Sequence, residues 1–240
     1  MYSFLLKHLI LLSFKKGAVI MKLTYENIRK NDKIRAFIQK QDEALIALGY
    51  TEHSFGHVCR VSQMAGDLLK ALGYSDHDVE LVRVAGYMHD LGNIVSRIEH
   101  AQSGAMIAFR LLDEMGVDPS DTATIMSAIG NHDESVGVPV NPIAAALILA
   151  DKSDVRRSRV RTRDRAYFDI HDRVNYAVDN AVAGLTEDKT TYQLKIHIDT
   201  GISPVMDYFE IFLNRMVFCR KAAQTLGLKF ELVINDQVLL

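Results

Sequence analysis

Cysteine is scarce, with only Cys59 and Cys219 in 240 residues. Both fall in helix-like apolar patterns, and a pair so far apart offers no framework of the kind small secreted domains need. A reducing, cytoplasmic setting is the expectation. Proline and glycine are thin as well, at 4 and 14 residues, which excludes collagenous and low-complexity architectures. No Pro/Gly/Ser linker divides the chain, and no internal repeat is visible. An excess of one charge is also missing. Basic residues number 28 against 30 acidic, a formal net of -2, so a globally basic nucleic-acid binder is not indicated. Apolar runs of membrane-spanning length are absent. The nearest candidate, MYSFLLKHLILLSFKKGAVI at the start, is broken by Lys7 and His8 and closed by Lys15 and Lys16. It also lacks the charged front and small-x-small site of a secretory signal. Lys16-Gly17 is what a ribosome-binding site yields when translated, so the native start is expected at Met21, with residues 1–20 a mis-annotated start or disordered leader. Without them 25 basic residues face 30 acidic ones, a net of -5.

What is present is the composition of an ordinary globule, 48% hydrophobic and 24% charged. A chain of this length buries about 70 to 75% of its unfolded surface, enough for a full core. From about residue 24 to 157 the apolar periodicity is helical and predicts at least six helices. One ends at Gly49, a second runs from Thr51 to Gly73, and a third is capped by Ser75 with Asp78 and reaches about Asp90. A fourth covers roughly 99 to 115, a fifth starts at Ser120, and Asn141-Pro142 caps a sixth. Beyond residue 170 the period falls to two. Val174, Tyr176 and Val178 alternate, as do Leu194, Ile196 and Ile198, and again Phe230, Leu232 and Ile234. Glu187-Asp188-Lys189 is the expected hairpin turn, and a helix opened by Ser203-Pro204 carries the stripe Val205, Phe209, Phe212, Met216, Cys219 and Ala223. The domain expectation is therefore a helical unit over 21–165 and a C-terminal unit over 166–240 of about three strands and one helix.

Four histidines and two aspartates sit in suggestive surroundings: His57 in FGHVCRVSQMA, His89-Asp90 in AGYMHDLGN, His100 in IEHAQSGA, His132 in IGNHDE and Asp151 in ILADKSD. Asp90 and Asp151 each follow an apolar stretch, Ala85 to Met88 and Ala144 to Ala150, that should be buried. A buried carboxylate needs a cation or hydrogen bonds. A metal ion would supply the cation, and neutral imidazoles would complete its shell.

This ordered set resembles the HD-domain superfamily of metal-dependent phosphohydrolases, over roughly residues 50 to 157. Arg60-Val61, one helical turn after His57, is similar to that family's first motif and favours His57 over His53. The resemblance implies a mainly α HD-domain helical bundle with a small C-terminal α+β appendage. It also implies that His57, His89, Asp90 and Asp151 hold one metal, that His100 and His132 hold a second, and that Asp90 bridges them. Four imidazoles and two carboxylates exceed what one open-sited ion needs but suit two. Nitrogen and oxygen ligation of this kind points to iron or manganese, with cobalt, nickel and zinc as alternatives.

The implied activity is hydrolysis of a phosphoester or phosphoanhydride of nucleotide type by a metal-bridging hydroxide, with Asp90, His89 and Lys152 as catalytic residues. Di-iron oxygenases of the same superfamily, such as myo-inositol oxygenase, share this ligand set and form the alternative, ahead of a module that senses a phosphorylated messenger. Many relatives carry lysine where this chain has Asn93, and Lys152 or Arg97 are the cations at hand to replace it. NHDESVGVP is similar to the motif of cyclic di-GMP phosphodiesterases but lacks the glycine-tyrosine-proline signature. The stretch KSDVRRSRVRTRDR from Lys152 to Arg165 carries seven basic and two acidic residues. It reads either as a solvated face, with Asp154 and Asp164 in ordinary surface pairs, or as a landing site in which Lys152, Arg156 and Arg157 bind substrate phosphate. The expected partner is a small phosphorylated substrate. Nucleic acid is not favoured, no membrane is expected, and a homodimer is compatible with the sequence.

Overall fold

Side-chain caps set where most helices of this chain begin. The computed structural model describes residues 22–239 except Arg163, so the expected start at Met21 lies outside the described residues. Thr24 caps α1 (Tyr25–Lys30) and Asn31 caps α2 (Asp32–Ala47). Ser54 opens α3 (Phe55–Ala71), and a reciprocal Ser75/Asp78 capping box opens α4 (Asp76–Met88). A 3-10 turn over Leu91–Ile94 leads to α5 (His100–Glu114). Asp118, rather than Ser120, caps α6 (Pro119–Gly130), with Pro119 in the first turn. Asn141 caps α7 (Pro142–Lys152) as the sequence predicts.

Two close approaches bring these helices together. A Cβ on Gly86 would lie 2.9 Å from the Ser62 Cα, so α3 and α4 meet backbone to backbone. A Cβ on Gly92 would overlap the His100 carbonyl, so the 3-10 turn abuts the first turn of α5. Helix α7 lies at the centre, with every residue from Ile143 to Ala150 buried against α3, α4 and α6. That continuous burial explains its almost uniformly apolar sequence.

The C-terminal part departs from the alternation reading at its first element. Val174 and Tyr176 belong to a helix, α8 (Ile170–Ala177), and only from Val178 does the chain become strand β1 (Val178–Leu185). Ile170, Val174 and Ala177 also satisfy helical spacing, and the Asp169 side chain, by accepting from the Asp172 amide, settles the choice. After the hairpin come β2 (Thr191–Ile198), α9 (Val205–Thr225), β3 (Lys229–Ile234) and the two-residue β4 (Gln237–Val238). The sheet order is β1-β2-β3-β4, with β2 and β3 parallel and the other pairs antiparallel. Among the described residues four strands and two α-helices stand where about three and one were expected. Tyr192, Leu194 and Ile196 pair with Phe230, Leu232 and Ile234, and the buried face of this register meets α9. Helix α9 packs on α7 as well, through buried Phe212, Met216 and Cys219, so one apolar core runs from the helices into the sheet.

Candidate metal centre

The six predicted ligands come from helix ends that converge on one point. His57 is in the first turn of α3, His89 and Asp90 follow the last turn of α4, and His100 opens α5. His132 lies just past α6, and Asp151 is the penultimate residue of α7. The groups His57–His89–Asp151 and His89–Asp90–His132 each present ligand atoms within 4.8 Å of one another. Asp90 joins the halves. Its Oδ2 lies 3.6 Å from His57 Nε2 and 3.4 Å from His89 Nε2, while its Oδ1 lies 3.8 Å from His100 Nε2. Asp151 Oδ1 is 3.2 Å from His57 Nε2 and 3.6 Å from His89 Nε2. His100 and His132 meet through their Nε2 atoms at 3.2 Å.

The tautomers are set from behind. Nδ1 faces an acceptor in every case: Asp154 Oδ2 for His57 at 2.8 Å, the Gly86 carbonyl for His89 at 2.8 Å, the Arg97 carbonyl for His100 at 3.1 Å and the Ile129 carbonyl for His132 at 2.6 Å. Each ring therefore turns Nε2 inward, the atom that ligates a metal once it carries no proton. Three of the converging atoms, His57 Nε2, His89 Nε2 and Asp90 Oδ2, are buried without a hydrogen-bond partner. Buried orphans of this kind are costly, and a divalent cation between them satisfies all three. The donor set fits a metal.

Charge follows the same logic. Burial opposes ionisation of Asp90, but the charge of the neighbouring His89 holds its carboxyl well below the usual range. Burial likewise opposes the charge on Asp151, and Lys152 with His57 and His89 overrides it. Burial works against a charged His89, yet Asp90 and Asp151 push it up to about 10. Burial, then the charges of His89 and His100, push His132 down to about 3. The metal-free cluster thus keeps a proton on His89 as the cation its carboxylates require.

Several residues were not visible in the sequence as parts of this site. Asp154, expected in a surface pair, is buried behind His57 and also holds Arg60 at 3.2 Å and Arg156 at 2.9 Å. Its position one helical turn after Asp151 was the available signal. Glu134 bridges Lys152 at 2.7 Å and Arg215 of α9 at 2.8 Å, while Lys152 also lies 2.9 Å from Asp151. No local pattern marks Glu134 or Arg215, because they meet only through the packing of α9 on α7. His53 precedes α3 instead of lying on it, and its Nδ1 bonds the Thr51 carbonyl at 2.7 Å.

A cavity of about 510 Å³ opens onto the cluster. Asp90, His100, His132, Asp151 and Lys152 line it, together with Tyr50, Arg97, Arg159, Phe212 and Arg215. Arg156 and Arg157, the expected phosphate ligands, do not. Arg156 is held by Asp154 and by Glu52 at 2.7 Å, and Arg157 donates to the Tyr176 carbonyl at 2.5 Å and stacks on its ring.

Residues 54–162 match the family model of the HD domain. This segment is an HD domain. It spans every element that supplies the cluster, and for residues 54–162 it supports a metal-dependent hydrolase in general. The HD domain sits within a longer likeness to an uncharacterised protein of Methanocaldococcus jannaschii, 25% identical over 217 residues and covering 80% of this chain and 81% of that one. A crystal structure described as a predicted HD superfamily hydrolase, from an uncultured Thermotogales bacterium, is similar at 24% identity over 57% of this chain and 75% of that chain, with a TM-score of 0.41. No helix among the described residues is long and apolar enough to cross a membrane.

Proposed function

We propose that the chain is a phosphohydrolase that holds two divalent ions, iron or manganese, and cleaves a small phosphoester or phosphoanhydride of nucleotide type. One observation carries the reading: all four imidazoles are locked at Nδ1, three of them bring Nε2 within 4 Å of an Asp90 oxygen, and His132 joins them through His100 Nε2 at 3.2 Å. His57, His89, Asp90 and Asp151 would hold one ion, and His100 and His132 the other, with Asp90 shared. Bound ions supply a hydroxide from water at neutral pH and neutralise phosphoryl oxygens. The chain's own part is positioning and charge. Asp154 keeps the His57 ring oriented, and the Gly86 and Ile129 carbonyls do the same for His89 and His132. Lys152, buried and fixed by Glu134, places an ammonium beside Asp151 on the cavity wall, where it relieves charge on the leaving group. In this reading residues 21–165 supply the ligands, and residues 166–240 close the far wall through His171, Asn175, Phe212 and Arg215.

Metal analysis followed by a screen of nucleotides and other phosphoesters tests the proposal, with Asp90→Ala as control. Expected are close to two ions per chain and hydrolysis that disappears in the variant. Hydrolysis that survives in Asp90→Ala would place the activity elsewhere. Oxygen consumption without phosphate release would favour the oxygenase alternative, since both chemistries use this ligand set.

A further inference from the structure

The cationic side chains of the cavity fall into two kinds. Lys152 is paired with Asp151 and Glu134, Arg215 with Glu134, and Arg159 with Asp154 at 3.9 Å. Their charge is balanced inside the protein. Arg97 differs, because no carboxylate among the described residues lies within 4.0 Å of it. It is held by neutral groups instead. Its Nη1 donates to Asn93 Oδ1 at 3.1 Å, and its guanidinium lies over the Tyr50 ring, 5.7 Å from the centroid. The Asn93 amide cannot turn away, since its Nδ2 donates to the Asp90 carbonyl and to Asp90 Oδ1, both at 2.9 Å. Asn93 thereby aims its own oxygen at Arg97. These contacts bring Arg97 Nη1 to 3.5 Å from His100 Nε2, one of the inward-facing ligand atoms.

A guanidinium has five N–H donors, and this arrangement commits one of them to Asn93. Holding an unneutralised cation against a cluster meant for further cations is unfavourable unless an anion joins them. The planar fork suits two oxygens of one phosphate. We propose that Arg97 receives the anionic phosphate group of the substrate beside His100, with Asn93 and Tyr50 as the positioning residues that hold it there. This rests on the phosphoester reading above and assigns the residue that recognises the phosphate. Tyr50 acts only through Arg97.

Calorimetric titration of the manganese-loaded protein with inorganic phosphate tests this apart from catalysis. Arg97→Ala should weaken phosphate binding by about 10- to 100-fold, the range for charge-assisted hydrogen bonds, with Arg97→Lys in between. Metal content and the unfolding midpoint should stay at wild-type values. Tyr50→Ala should weaken binding less, and adding it to Arg97→Ala should cost nothing more. Unchanged phosphate affinity in Arg97→Ala, absence of phosphate binding by the wild type, or metal loss from Arg97→Ala each overturns the assignment. Failures separate cleanly. Phosphoester hydrolysis with an Arg97-independent phosphate affinity removes the role of Arg97 and keeps the hydrolase. Arg97-dependent phosphate binding without hydrolysis does the reverse.

Discussion

The histidine–aspartate cluster and the basic strip from Lys152 to Arg165 adjoin each other, and both looked functional as sequence, yet they use their polar atoms in opposite ways. In the cluster the outer ring nitrogens are satisfied and three inner atoms, His57 Nε2, His89 Nε2 and Asp90 Oδ2, are left without partners. Among the described residues of the strip the polar heads are mostly consumed, Arg161 Nε being the one buried exception. Arg156 goes to Asp154 and Glu52, Arg157 and Arg165 to Tyr176, Arg161 to Asp42, and Arg159 is buried on the carbonyls of Glu52 and Asp154. Charge density by itself is therefore a poor guide to a binding site. What marks a site is a polar group held rigidly with its charge or lone pair still unmatched, a condition met by three of the ligand atoms and, among the described residues, by Arg97, but not by Arg156 or Arg157.

The strongest way to break this contrast is Asp90→Ala, which removes the carboxylate common to both halves. Metal analysis and steady-state kinetics should show loss of bound metal and a fall in kcat of about 10³-fold or more, as expected when the main electrostatic element of a site is deleted. Asp154→Ala tests the border between the two regions. It strips His57 of its Nδ1 partner and takes one carboxylate each from Arg60, Arg156 and Arg159, so denaturant titration should show a loss of about 3 to 5 kcal/mol. Chelator competition on the same variant should show metal affinity weakened about 10- to 100-fold, and wild-type values in both assays would mean that Asp154 is a bystander.

Proton linkage sharpens the comparison on the cluster side. With His89 pushed up to about 10 in the metal-free protein, a metal must displace its proton at neutral pH. The sign follows directly: raising the pH removes the competitor, so affinity should rise about tenfold per pH unit between roughly pH 6 and 9. A flat profile would show that His89 is already neutral. The smallest effect belongs to the strip. Replacing Arg156 and Arg157 together by alanine should leave KM for a phosphoester within about twofold, because neither contributes to the cavity. A rise of tenfold would restore the landing-site reading.

Much of the helical part was legible from residues alone, since its signals are local. Ser75 with Asp78, and Asn141 before Pro142, mark starts that the caps confirm, and Gly49, Gly73, Gly116 and Gly227 follow helix ends in left-handed conformation. Alternation found β2 and β3 but misread 170–177. Val174 and Val178 satisfy periods of two and of nearly four, and the Asp169 cap decides between them. The cluster was legible for a related reason: a carboxylate at the end of an apolar run, as in Ala144–Asp151, announces that it will be buried with a countercharge.

What the sequence determined by itself is thus which six side chains gather, and a helical scaffold whose ends could present them. Tertiary structure decided which charges remain available. Glu134 meets Lys152 and Arg215 across 18 and 81 residues, Asp154 reaches His57 across 97, and Arg97, without a carboxylate among the described residues, is held by Asn93 and Tyr50. Pairing of this kind depends on distances between elements far apart in the chain. Local periodicity carries no record of those distances, and only the packing of α9 on α7 and of α3 on α4 fixes them.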